Sequence, residues 1–227
     1  MGGRSGSSGI GGGSIGSKHV KEINSNGKID ISDNPLTYGP KDYMYNKDVR
    51  STTEKFEEKH YKDKVEHIAA IDKKGKIIEE AIGDAGSSKI SNKAIEKAVE
   101  ITHNHPSGTG YLGGSFSEDD IARFGERRNL RTMRATTKEG TYSITKKVGF
   151  NATKFQNYNN SERKKYRTQL DKSLSDLKSQ RDSGKISEAK YTTEKIKANN
   201  KYLVNMHNSY IAGQKKYGYA YTLERRK

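Results

Sequence analysis

The sequence predicts an α+β fold, a small mixed sheet flanked by helices and followed by a helical hairpin, and three observations predict it. Two apolar, β-favouring runs, Val65 to Asp72 and Lys76 to Ile82, are separated by a turn at Lys73-Lys74-Gly75. A second pair, Arg131 to Thr137 and Thr141 to Lys146, is joined at Glu139-Gly140, and glycine at such a turn is a hairpin signal. Beyond Gly149, Tyr166, Leu170, Leu174 and Leu177 recur at the spacing of one helix face.

Taken in order, residues 1–17 are Gly/Ser-rich and read as a flexible arm. Residues 18–60 are polar, with Pro35 and Pro40 as breakers, and read as an irregular lead-in. Residues 61–148 form the central domain. After its first two strands comes a short helix, Ser91 to Ala98, with Ser91 or Asn92 as cap and Ile95 and Val99 facing inward. Val99 to Thr102 is a strand leading into His103 and His105, and Pro106-Ser107-Gly108 ends it. Ser117 fits the N-cap of a helix to Arg128 that carries Asp120, Ile121 and Phe124. In residues 149–227 the first helix stops at Ser183-Gly184-Lys185, and Ser187 caps a second running to about Ile211. This part reads as a basic helical arm.

The chemistry concentrates between residues 103 and 120. Alternate residues of a strand share a face, so His103 and His105 converge. Ser117 and Asp120 lie close together at a helix start. Two imidazoles and one carboxylate leave a tetrahedral Zn²⁺ one open position, the coordination of a catalytic rather than a closed structural site. A further carboxylate is needed to take a proton from water.

His103-Asn104-His105-Pro106-Ser107-Gly108 followed by Ser117-x-x-Asp120 resembles the JAMM (JAB/MPN) metalloproteases, and most of all the RadC-like and phage or mobile-element JAB domains. The likeness covers about residues 60–146. It implies a JAB/MPN-type sheet, a zinc held by His103, His105 and Asp120, and Ser117 supporting the oxyanion of a tetrahedral intermediate. It also implies Glu66, at the head of the first strand, as general base, with Glu80 ranked behind it and Glu79 open if the strands pair differently. Eleven residues separate His105 from Ser117, more than the family's usual spacer. The surplus at Thr109 to Gly114 is expected to bulge outward as a flap that could clamp the substrate. A register through Ser115-x-x-Glu118 shortens the spacer but loses the Asp. The resemblance implies a peptidase or isopeptidase acting on a protein substrate; the alternative is a JAB-like accessory protein that works by binding, in particle assembly or against a host defence.

Composition narrows the remaining choices. The chain has 227 residues, 30% of them hydrophobic, and no Cys, which excludes cysteine nucleophiles, disulfide frameworks and the Cys-containing zinc motif of nucleobase deaminases. No apolar run is long enough for a membrane span and Met1-Gly2-Gly3-Arg4 opens no signal peptide, so a cytoplasmic location is expected. Residues 151–227 hold 18 Lys/Arg against 7 Asp/Glu, a net +11 of the chain's +15. That field, with Tyr202, Tyr210, Tyr217, Tyr219 and Tyr221, points to nucleic acid or an acidic protein as partner. A small core also favours a homo-oligomer.

Overall fold

The computed structural model describes residues 47–106, 114–138 and 140–225. In chain order these form α1 (Lys47–His60), β1 (His67–Ile71), β2 (Ile77–Ile82), α2 (Asn92–Lys97), β3 (Glu100–Asn104) and α3 (Glu118–Glu126). There follow β4 (Thr132–Thr136), β5 (Gly140–Lys146), α4 (Ala152–Asp182), α5 (Glu188–Tyr217) and β6 (Tyr219–Arg225). The α+β expectation holds. The strands make one sheet in the order β2-β1-β3-β4-β5-β6, in which only β3 and β4 run parallel. A parallel pair needs a crossover, and α3 supplies it.

Register separates the two faces of this sheet. Ile101 sits opposite Met133, Met133 opposite Ile144, and Ile144 opposite Tyr221, so one apolar row crosses four strands. It joins Ile68, Ile95, Ile121, Phe124, Phe155, Val204 and Tyr210 in one core. The neighbouring row, Thr102, Arg134, Ser143 and Thr222, is polar and also buried. A slip of one residue in any strand would exchange the rows, which fixes the pairing.

α1 packs on β1 and β3 and reaches the polar row through Glu57, which corrects the expected irregular lead-in over residues 47–60. Its inward stripe is Val49, Thr53, Phe56, Glu57 and His60, at helical spacing but with only two apolar members. Glu57 accepts from Arg134 through Nε at 2.6 Å and Nη2 at 3.1 Å, and from Thr102 and Thr141 hydroxyls at 3.3 Å each. A buried charge pair with every lone pair engaged is tolerable where a single charge is not.

The C-terminal part is no separate arm. Phe155, Val204, Tyr210, Tyr219, Tyr221 and Leu223 belong to the same core as β1 and β3, and β6 pairs with β5 over seven positions. α5 runs past the expected end near Ile211 to Tyr217, where Gly218 takes φ +71° and turns the chain into β6. A Cβ there would lie 2.8 Å from Phe150 N. Tyr210, Tyr219 and Tyr221 are fully buried and are not free to stack on bases.

Candidate metal centre

Each side chain of the histidine cluster is aimed by a local device. β3 carries His103 on the apolar face and, one residue past its end, His105 continues the ladder through its N–H to Thr136 O at 2.8 Å. Asp120 comes from the first turn of α3. Ser117 caps that helix in a reciprocal box: its hydroxyl accepts from Asp120 N at 3.1 Å, while the Asp120 carboxylate accepts from Ser117 N at 2.8 Å.

The three side chains meet. His103 Nε2 lies 2.9 Å from His105 Nε2 and 3.3 Å from Asp120 Oδ2, and His105 Nε2 lies 3.9 Å from that oxygen. One donor atom from each falls within 4.8 Å of the others, so the group can hold a metal ion. His105 Nδ1 is 2.8 Å from Gly114 O, and a carbonyl only accepts, so Nδ1 carries the proton and Nε2 keeps its lone pair for a ligand. His103 Nδ1 is buried with no hydrogen-bond partner.

Electrostatics fit such a site. Burial pulls the His103 imidazole down, but the charge and hydrogen bond of Asp120, with Glu66, outweigh it and raise its pKa. His105 goes the other way, lowered by burial and by the charge of His103. Burial raises Asp120, yet His103, His105 and the Ser117 hydroxyl bring it far below the usual carboxylate range. Asp120 is therefore ionised as a ligand must be.

Glu66 directly precedes β1, with its N–H on Asp84 O at 2.7 Å and its carbonyl accepting from Gly83 N at 2.8 Å. Ile68 faces His103 across the antiparallel β1–β3 pair, and continuing that register by two residues sets Glu66 opposite His105 on the same face. Ser88 Oγ donates to Glu66 Oε1 at 2.8 Å. The other two carboxylates are not brought here. Glu80 pairs with Ala69, which turns it to the opposite face, and Glu79 binds Ser91 N and Oγ at the start of α2.

The Ser117 hydroxyl donates to Asp120 Oδ2 at 2.7 Å and so orients that carboxylate. In the alternative register, Glu118 is exposed and the Ser115 side chain bonds Tyr221 instead. The expected flap falls mostly on residues 107–113, outside the described residues.

Asn104 was not singled out by the sequence reasoning. Its Oδ1 accepts from His67 N at 2.6 Å and its Nδ2 donates to Val65 O at 3.0 Å, which clamps the backbone on both sides of Glu66. The signal was present: a strand that shows His103 and His105 on one face shows Asn104 on the other, and a buried amide there must find partners.

No protein-family model, no curated protein and no solved structure matches the chain. The class is thus defined by fold and site alone: an α+β protein with a largely buried His-His-Asp group, between sheet and helix, able to hold a metal ion. Among the described residues, no helix is long and apolar enough to cross a membrane.

Proposed function

We propose that the protein is a zinc-dependent peptidase or isopeptidase of the JAMM type. The observation that carries this reading is the convergence of His103 Nε2, His105 Nε2 and Asp120 Oδ2 beside a strand whose register brings Glu66 opposite His105. Two nitrogens and one oxygen suit zinc, and the tautomer fixed by Gly114 leaves the correct nitrogen of His105 bare. Zinc, when bound, supplies Lewis acidity, polarising a carbonyl and easing the ionisation of water.

The rest falls to the chain. Glu66 accepts the proton of the attacking water on its carboxylate and returns it to the leaving amine. Ser88 holds one of its oxygens, and Asn104 holds the backbone that bears it. Ser117 keeps Asp120 oriented through its amide and hydroxyl.

The test joins metal content to cleavage. Purified protein is analysed for zinc and incubated with mixtures of linear and lysine-isopeptide-linked peptides, with products read by mass spectrometry. Glu66→Gln is expected to retain zinc while cleavage falls by about 10²- to 10⁴-fold. A wild type that takes up no zinc at His103 and His105, or a Glu66→Gln protein that cleaves normally, refutes the reading.

A further inference from the structure

A second histidine cluster lies on the opposite face of β1. His60 ends α1, His67 begins β1 and Glu80 comes from β2; one donor atom from each lies within 4.8 Å of the others. The two imidazoles are stacked, with centroids 3.9 Å apart and planes at 23°. Both residues are more than nine-tenths buried, His60 at 3% and His67 at 8% exposure.

Asp63 lies against both rings. Its Oδ2 is hydrogen-bonded to His60 Nδ1 at 2.7 Å and makes an ion-pair contact of 3.1 Å with His67 Nε2. On the other side of the rings, His60 Nε2 and His67 Nδ1 are buried with no hydrogen-bond partner. Glu80 Oε1 lies 3.4 Å from His60 Nε2, and Lys59 Nζ is 3.7 Å from the same oxygen.

Two adjacent buried ring nitrogens without a hydrogen-bond partner call for a group that satisfies them. Protons on both would stack two cations face to face next to Lys59. A divalent ion satisfies both nitrogens at once, and Glu80 supplies the compensating charge. Carboxylate-fixed imidazoles are how metal ligands are oriented, and two nitrogens with one oxygen select zinc or a neighbouring transition metal over magnesium or calcium.

From this geometry we infer that His60, His67 and Glu80 form a second, structural site for a zinc-class divalent ion, with Asp63 as the carboxylate that orients the two rings. The ion ties the end of α1 to the β1–β2 edge, one residue from Glu66. The site stands whether or not the His103 cluster is catalytic.

The experiment titrates zinc into chelator-treated, full-length protein and counts equivalents. Wild type is expected to bind one equivalent more than Glu80→Gln, a conservative change at a partly exposed side chain. Asp63→Asn is expected to weaken that equivalent by about 10- to 100-fold without touching the other. His103→Ala/His105→Ala is expected to keep it, and zinc is expected to raise the melting temperature of this variant but not after Glu80→Gln is added. Equal stoichiometry and affinity in wild type and Glu80→Gln overturn the inference. Should the double alanine variant not fold, the wild type against Glu80→Gln decides alone.

Discussion

The two faces of the sheet are built from alternate residues of the same strands, and they use buried polarity for different ends. On one face, His103, His105 and Asp120 crowd three donor atoms together beside an apolar core, and Asp120 stays ionised among histidines. On the other, Glu57, Arg134, Thr102 and Thr141 satisfy one another beneath α1. The first face gathers atoms that a metal ion could bind; the Glu57 network of the second pairs its own members, while His60 Nε2 and His67 Nδ1 at the end of α1 stay without a hydrogen-bond partner. The comparison can be broken by moving a defect from one face to the other.

The largest expected effect is on the α1 face. Glu57→Ala removes the bidentate acceptor of a guanidinium that is 1% exposed, and loss of one partner of such a pair costs about 3 to 5 kcal/mol. Denaturant unfolding should show that loss while the folded fraction still binds zinc at His103 and His105. Loss of that zinc instead would mean the faces are coupled.

Next comes Glu100, whose carboxyl is pushed up from 4.5 to about 7 by burial, against the opposing pull of Arg134 and Thr53. Thr53 Oγ1 is 2.9 Å from Val49 O and 2.6 Å from Glu100 Oε1, and one hydroxyl hydrogen cannot serve both. A protonated Glu100 donating to Thr53 resolves the conflict. The folded state thus binds more protons than the unfolded one between pH 4.5 and about 7. Stability should fall as pH rises through that window, by about 3 kcal/mol in total, and Glu100→Gln should flatten the slope. Unfolding free energies measured from pH 5 to 8 check it.

Legibility followed the same division. Strands β1 to β5, the Ser91 and Ser117 caps and the α4–α5 hairpin could be read because their apolar periodicity and turn residues agree with the final structure. The His103-x-His105 and Ser117-x-x-Asp120 spacing could be read because each pair is local to one element. α1 could not, since Thr53, Glu57 and His60 occupy its inward stripe and their burial depends on partners such as Arg134, 77 residues away from Glu57 in sequence. β6 was legible but misread. Tyr219, Tyr221 and Leu223 alternate with Ala220 and Thr222, a strand period, yet the surrounding charge drew the tyrosines into a nucleic-acid reading.

Asn104 belongs to neither face alone, because its amide reaches the backbone at Val65 and His67 while its neighbours His103 and His105 belong to the candidate metal site. Asn104→Ala leaves a buried N–H and carbonyl without partners, a loss of about 2 kcal/mol. Cleavage should drop further than zinc affinity, since the backbone under Glu66 is released while His103 and His105 stay. Equal losses of both would show that Asn104 merely supports β3.

The smallest effect, and the sharpest for mechanism, is at Ser117. Its hydroxyl is donated to Asp120 Oδ2 at 2.7 Å and also accepts from Asp120 N, so one atom is both cap and ligand support. Ser117→Ala should destabilise by about 1 kcal/mol through the lost cap. Zinc affinity should weaken by about 10- to 100-fold, as it does when a group that orients a ligand is removed. Ser117→Thr, which keeps the hydroxyl, should restore both. A direct oxyanion role gives another pattern: zinc affinity unchanged in Ser117→Ala, with turnover at saturating zinc reduced. Comparing zinc affinity with turnover in these two variants therefore places Ser117 either behind Asp120 or in contact with the substrate.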